Sequence, residues 1–195
     1  MKLNKSTLFA LKGTLVMIAM SIGITLSGCS GDSSEPVDGK NKTFIVTSGA
    51  FENGEQIAEK YTKANVSFPL SWKNAPKGTK SFAVFVVDLH PVANMWVHWV
   101  VINIPAKVHA LPEGVSRSDQ LPKGSKELVN SFNQTGYGRP TPPAGSGNHE
   151  YKVIVYALNV KSLEAPRFLS YKSFQELVKE HVIETAEISG FLEKK

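Results

Sequence analysis

The chain has 195 residues, of which 42% are hydrophobic and 20% charged, the proportions of a folded globular protein rather than of a disordered or fibrous one. Its formal net charge of +5 shrinks once Lys2, Lys5 and Lys12 are set aside with the leader they belong to, because 19 of the 22 basic residues then face 17 acidic ones. A near-neutral remainder without a basic run gives no electrostatic ground for nucleic-acid binding. The roughly 167 residues left can bury about 70% of the unfolded surface without a disulfide or metal staple.

Residues 1–12 carry three lysines and no acid, and residues 14–26 (TLVMIAMSIGITL) form an apolar run. At thirteen residues that run is shorter than the roughly 20 a membrane-spanning helix needs. Charged, apolar and small-residue zones in this order read as a secretory signal peptide. The ending Leu26-Ser27-Gly28-Cys29 resembles the bacterial lipobox, which implies cleavage before Cys29 and diacylglycerol on its thiol. Cys29 is the only cysteine, so no disulfide can form within the chain. Residues 1–28 are therefore expected to be a lipoprotein signal peptide and residues 29–42 (CSGDSSEPVDGKNK) a flexible tether. Residues 43–195 are expected to form one domain. Ser30 after the cysteine favours the outer membrane if the cell is Gram-negative.

Along the domain, Thr43–Thr47 is the first strand candidate, and Asn53-Gly54 marks a turn. Residues 57–64 allow either a short helix or an extended loop. Val66–Trp72 is extended, since Pro69 has no N–H to give a ladder. Ala83–Val87 and Val97–Ile102 read as strands buried on both faces, because neither alternates with polar residues. A simple reversal through residues 89–96 brings Asp88 and His98 to the same sheet end. A loop-rich stretch follows Pro105, and Leu128–Phe132 is a further strand candidate. Residues 136–147 (GYGRPTPPAGSG) pack four glycines and three prolines into twelve positions. No Lys-Ser or Lys-Thr ends that loop and no helix follows, so it is not a Walker loop. His149–Leu158 is a strand whose period of two puts His149, Tyr151, Val153 and Val155 on one face. Ser173 and Glu176 read as a capping box opening a helix over Phe174–Ile183. Residues 186–192 are either a strand or a docked extension.

Four stretches together resemble the phosphatidylethanolamine-binding protein family, in its bacterial Raf-kinase-inhibitor-like branch. They are PLSWKNAPKGTKSFAVFVVD (69–88), HPVANMWVHWVVINIP (90–105), NSFNQTGYGRPTPPAGSGNHEYKVIVYAL (130–158) and the closing helix. The resemblance implies a mainly β fold, an antiparallel β-sandwich with a few peripheral helices, one of them near the C-terminus. It also implies a small anion-binding pocket at one end of the main sheet, and no general catalytic activity. By the same resemblance that pocket is formed by Asp88, His98, Gly136, Tyr137, Gly138, His149 and Tyr151. The family's Asp-Pro-Asp-Ala-Pro motif is met only at Asp88. This chain continues Leu-His-Pro, so the second acid has no counterpart and His90 stands near its place. The site is expected to be correspondingly more basic.

Taken singly, these residues have plainer readings. His98, between Trp96 and Trp99, reads first as a hydrogen-bonded core histidine. Asp88 fits a strand-end or turn acid, His90 a loop residue, and the tyrosines ordinary packing aromatics. Together they make coherent chemistry: imidazole and glycine N–H groups donate to phosphate oxygens, while Asp88 is expected to orient and charge His98 or His149. Ser146 sits in Gly-Ser-Gly rather than a nucleophile elbow, and the Asp and His residues lack diagnostic metal spacing. The expectation is thus a non-enzymatic envelope lipoprotein without cofactor or metal. It binds phosphate or a phosphorylated head group, modulates a partner such as a kinase or protease, and touches no nucleic acid. The alternative is a structural or partner-binding lipoprotein with a vestigial pocket.

Replacing Cys29 with Ala is expected to leave an unprocessed or mislocalised precursor, which detergent phase partitioning detects. A Cys29→Ala chain that still matures and stays membrane-bound would refute the lipobox.

Overall fold

The computed structural model describes residues 42–195. The signal peptide, Cys29 and all of the tether except Lys42 lie outside the described residues. Strand β3 (Ser81–Asp88) is buried along its whole length, as its unbroken apolar run predicts. It lies between β4 (Trp96–Pro105) and β7 (Asn148–Leu158), antiparallel to both. The edges are β6 (Lys126–Glu127) beside β4 and β8 (Val182–Glu193) beside β7, giving the order β6-β4-β3-β7-β8. A second antiparallel sheet comprises β1 (Ile45–Ser48), β2 (Leu70–Lys73) and β5 (Ala110–Leu111), in the order β1-β2-β5.

Side-chain alternation on β3 and β7 divides the core in two. Phe82, Val84 and Val86, with Tyr151, Val153 and Val155, pack toward the small sheet against Phe68, Leu70 and Trp72. Ala83, Phe85 and Val87, with Ile154 and Tyr156, face the other way onto helix α2 (Tyr171–Val178), where Phe174 and Val178 meet them. Both faces of the large sheet are therefore covered, which is why its central strands show no polar alternation. The fold is mainly β, with α1 (Glu59–Lys63) and α2 as the α-helices of the described residues. Among the described residues no helix is long and apolar enough to cross a membrane.

Three local expectations need correction. Helix α2 begins at Tyr171, not Phe174, because the Ser170 hydroxyl rather than that of Ser173 caps it, accepting from Ser173 N at 3.1 Å. It also stops at Val178, well before Ile183, because pairing with β7 resumes at Val182 opposite Leu158. Residues 186–192 accordingly belong to a long strand. The strand expected over Leu128–Phe132 does not form beyond isolated bridges at Val129. Asn130 turns the chain instead, its Oδ1 accepting from Phe132 N (2.9 Å) and Gln134 N (3.2 Å).

Glycine is required where β8 passes the chain segment before α1. A Cβ built on Gly190 would lie 2.8 Å from Phe51 and Ile57 carbons, both side chains buried. Gly190→Ala is expected to cost about 1–3 kcal/mol of stability through overpacking, read as a lowered urea midpoint at unchanged slope.

Candidate functional site

Register brings three side chains to one end of the large sheet: Asp88 on β3 pairs with Trp96 on β4 and with Tyr151 on β7. His98 joins them through an irregularity. Val86 pairs with Trp99 and Val87 with Val97, which leaves His98 as the extra residue of a β-bulge. Val100 and Ile102 face α2, and plain alternation would send His98 there too. The bulge turns it to the opposite face, where its ring meets Tyr151 edge-on at 5.2 Å.

Gly138 holds His98 in place. Its N–H donates to His98 O (2.8 Å), and its carbonyl lies 2.7 Å from His98 Nδ1. Because a carbonyl only accepts, Nδ1 carries the ring proton and Nε2 is left as a lone pair. Burial lowers the His98 pKa from 6.5 to about 4, against the opposing pull of the Gly138 carbonyl and the Asp88 charge. The expectation of charged imidazoles thus fails for His98, which is neutral at physiological pH and presents an acceptor. A Cβ on Gly138 would lie 2.5 Å from Phe132 Cδ2, so only glycine lets Phe132 close over this spot.

Asp88 is buried and fully engaged. Oδ2 lies 2.7 Å from His149 Nδ1, and Oδ1 accepts from His90 N at 2.9 Å. His149 Nε2 in turn lies 2.8 Å from Ser146 Oγ, whose hydroxyl reaches Pro143 O at 2.6 Å. The order Ser146–His149–Asp88 matches a hydrolytic triad. Ser146, however, has its one hydrogen within reach of the Pro143 carbonyl and is absent from the residues lining the cavity. Here the chain of bonds ties the 141–147 loop to the sheet. His90 stacks on His149 with centroids 3.9 Å apart, and its Nδ1 accepts from Val92 N.

These groups floor a cavity of about 240 Å³, lined by Asp88, His98, His149 and Tyr151 below and by Val92, Trp96, Phe132 and Pro142 among the walls. The Tyr151 hydroxyl is buried without a hydrogen-bond partner. Its pKa is raised well above the usual 10.0, first by burial, then by the Asp88 charge and by a contact toward the Asp88 carboxylate whose geometry is too poor to count as a hydrogen bond, so it remains a donor. Of the seven residues named from the sequence, Asp88, His98, His149 and Tyr151 meet at the cavity. Gly138 lies behind His98 and borders the adjoining depression with Arg139. Gly136 and Tyr137 do not reach the cavity: Gly136 abuts Ser116, Arg117 and Glu127, while Tyr137 is buried in the core. Sequence reasoning missed the apolar walls and the Ser146 link, because both depend on how two loops fold over the sheet end. Among the described residues no three His, Cys, Asp or Glu side chains converge as metal ligands.

Comparison with known proteins agrees with this architecture. The family model described as phosphatidylethanolamine-binding protein matches residues 47–193. The UPF0098 protein YbcL of Escherichia coli is 36% identical over 162 residues, covering 78% of this chain and 88% of that protein. Its crystal structure superposes with a TM-score of 0.72, covering 78% of this chain and 99% of that one. A UPF0098 protein of Aquifex aeolicus is 34% identical over 151 residues, 76% of this chain and 88% of its own length. A Mycobacterium tuberculosis protein named as the lipoprotein LppC is 32% identical over 171 residues, 78% of this chain and 82% of its own.

The buried neutral His98 ties stability to pH. Unfolded, its imidazole takes up a proton near about 6.5; folded, only near about 4. Between those values the unfolded state binds more protons, so this contribution is complete above about pH 6.5 and is lost as pH falls toward 4. The full window is worth on the order of 3 kcal/mol. Urea unfolding across that range should show a flatter pH slope for His98→Gln than for the wild type; equal slopes would refute the assignment.

Proposed function

Because the chain belongs to the phosphatidylethanolamine-binding protein family, we propose that it is a non-catalytic, membrane-anchored lipoprotein whose cavity binds the phosphate of a small molecule or head group. The observation that carries this reading is the Tyr151 hydroxyl, which has no well-formed hydrogen bond although Asp88 stands near it, together with the free Nε2 of His98. A buried polar group without a partner costs about 1–3 kcal/mol, and a ligand group seated in the cavity would relieve it. The two atoms are complementary, one a donor and one an acceptor.

No lysine or arginine lines the cavity, and Asp88 sits on its floor. That electrostatic setting disfavours a dianion. A phosphate monoanion fits, because its P–O–H can donate to His98 Nε2 while another oxygen accepts from Tyr151. The relative named as a lipoprotein supports the anchor read from Cys29. Modulation of a kinase or protease would act through the surface around this cavity. The non-catalytic part is supported by Ser146, whose hydroxyl is spent within its own loop.

Calorimetric titration with inorganic phosphate tests the pocket. A phosphomonoester's second ionisation lies near about 6 and that of inorganic phosphate somewhat higher, so affinity is expected to fall as pH rises through about 6 to 8. Tyr151→Phe should weaken binding roughly 2- to 12-fold, the effect of a neutral hydrogen bond, while leaving stability unchanged or raised. Wild-type affinity in Tyr151→Phe, or no phosphate binding at all, would favour the partner-binding lipoprotein with an idle pocket. Turnover of p-nitrophenyl acetate that Ser146→Ala abolishes would overturn the non-catalytic part.

A further inference from the structure

Seven large apolar side chains are exposed among the described residues, and four of them gather at or beside the cavity mouth: Val92, Trp96, Phe132 and Phe168, with Met95 next to Trp96 along the chain. They form one continuous crest. Val92, Trp96 and Phe132 wall the cavity, and Trp96 and Phe168 share the next depression. The Trp96 and Phe132 rings meet edge-on at 5.3 Å. Such an apolar crest on an otherwise polar surface marks an interaction site.

The backbone is distorted to build it. Asn94 (φ 48°) and Met95 (φ 57°) are successive non-glycine residues in the left-handed region. Asn94 caps the Pro91–Ala93 turn in a region asparagine tolerates, but at Met95 the conformation costs roughly 1–2 kcal/mol, and the Met95 side chain stays 52% exposed. Strain of this kind collects where an exposed group must be held in position.

We propose that this crest docks on the surface of the bilayer to which the chain is anchored, its apolar side chains entering the head-group boundary and the cavity mouth facing the lipid. The proposal rests on the lipid anchor read at Cys29. Cys29 precedes Phe44, the first buried residue described, by fifteen positions. Phe44 packs on Phe82, at the end of β3 away from Asp88, and a chain of that length spans up to about 50 Å, enough for the domain to turn its crest onto the membrane. At the high effective concentration a short linker imposes, weak insertion suffices. Tryptophan is the side chain suited to that depth, with an apolar body and a polar N–H. Charge agrees. Among the residues lining the cavity and its two adjoining depressions, the one carboxylate is Asp88, buried and paired, and the one permanent cation is Arg139. No exposed acid there opposes an anionic or zwitterionic surface.

Trp96 reports on the contact by itself. The other two tryptophans, Trp72 and Trp99, are 1% and 0% exposed. The mature acylated chain is reconstituted into vesicles of phosphatidylethanolamine and phosphatidylglycerol, with bromine on the acyl carbons just below the glycerol. Flotation of the vesicles scores the anchor, and tryptophan emission scores docking. The expected result is a floating protein with blue-shifted, bromine-quenched emission, and Trp96→Phe abolishes the quenching. The Val92→Asp, Met95→Asp double variant should float equally well, keep its near-ultraviolet dichroism and lose at least half of the quenching. A chain that floats with Trp96 unquenched, or a double variant quenched like wild type, overturns docking while leaving the anchor standing. A chain that fails to float overturns the anchor and this proposal with it. Cross-linking that shows Trp96 covered by a second copy, or by another protein, also overturns it.

Discussion

A carboxylate buried at the end of the central strand constrains everything around it. Asp88 is 3% exposed, and an ionised side chain taken out of water costs several kcal/mol unless its oxygens are bonded. The chain meets that demand from two directions. His149 Nδ1 reaches one oxygen from the neighbouring strand, and the His90 backbone N–H reaches the other from the β3–β4 turn. Each partner then positions something else. His149 holds Ser146 and through it the Pro-rich loop, while the turn that begins at His90 lifts Val92 and Trp96 to the rim. The cavity floor and two of its walls therefore follow from satisfying one acid.

The opposite wall depends on backbone rather than charge. A bulge in β4 rotates His98 onto the sandwich-facing side, and Gly138 bonds to it at both N–H and C=O. With Nδ1 committed to that carbonyl, His98 works as an acceptor. The result is a pocket of low net charge with one donor and one acceptor free, inside an apolar rim. Trp96 and Phe132 belong to both the cavity and the crest, so the proposed ligand binding and the proposed bilayer contact would share the same side chains.

Much of this was legible in the residues. The unbroken apolar runs marked β3 and β4 as doubly covered strands, and the alternation from His149 marked the cavity-facing side of β7. The motifs at Asp88, His98, His149 and Tyr151 were enough to gather four cavity residues. Smaller features were harder to read because local signals competed. Ser173 with Glu176 fits a capping box by residue type, but the Ser170 hydroxyl three residues earlier accepts from Ser173 N and opens the helix one turn sooner. Leu128–Phe132 carried strand-forming residues, but their N–H groups reach separate stretches of backbone and the Asn130 side chain, which accepts from Phe132 N and Gln134 N and turns the chain, so no continuous ladder forms.

The amino-acid sequence alone determined where the main buried strands lie, and its motifs, by their resemblance to a known family, implied the fold class and most of the polar residues that meet at one sheet end. The strands follow from periodicities that operate over short stretches of chain. Tertiary structure decided the chemistry of that meeting: that His98 is neutral while His149 holds the acid, that Tyr151 is unpartnered, and that Gly136 and Tyr137 lie away from the cavity. It also decided that four exposed apolar side chains, Val92, Trp96, Phe132 and Phe168, stand together outside. The physical reason is that protonation and exposure depend on desolvation and on hydrogen-bond partners brought from distant positions, Gly138 for His98 and His149 for Asp88. A single bulged residue reversed a side chain's face, and no local pattern encodes that.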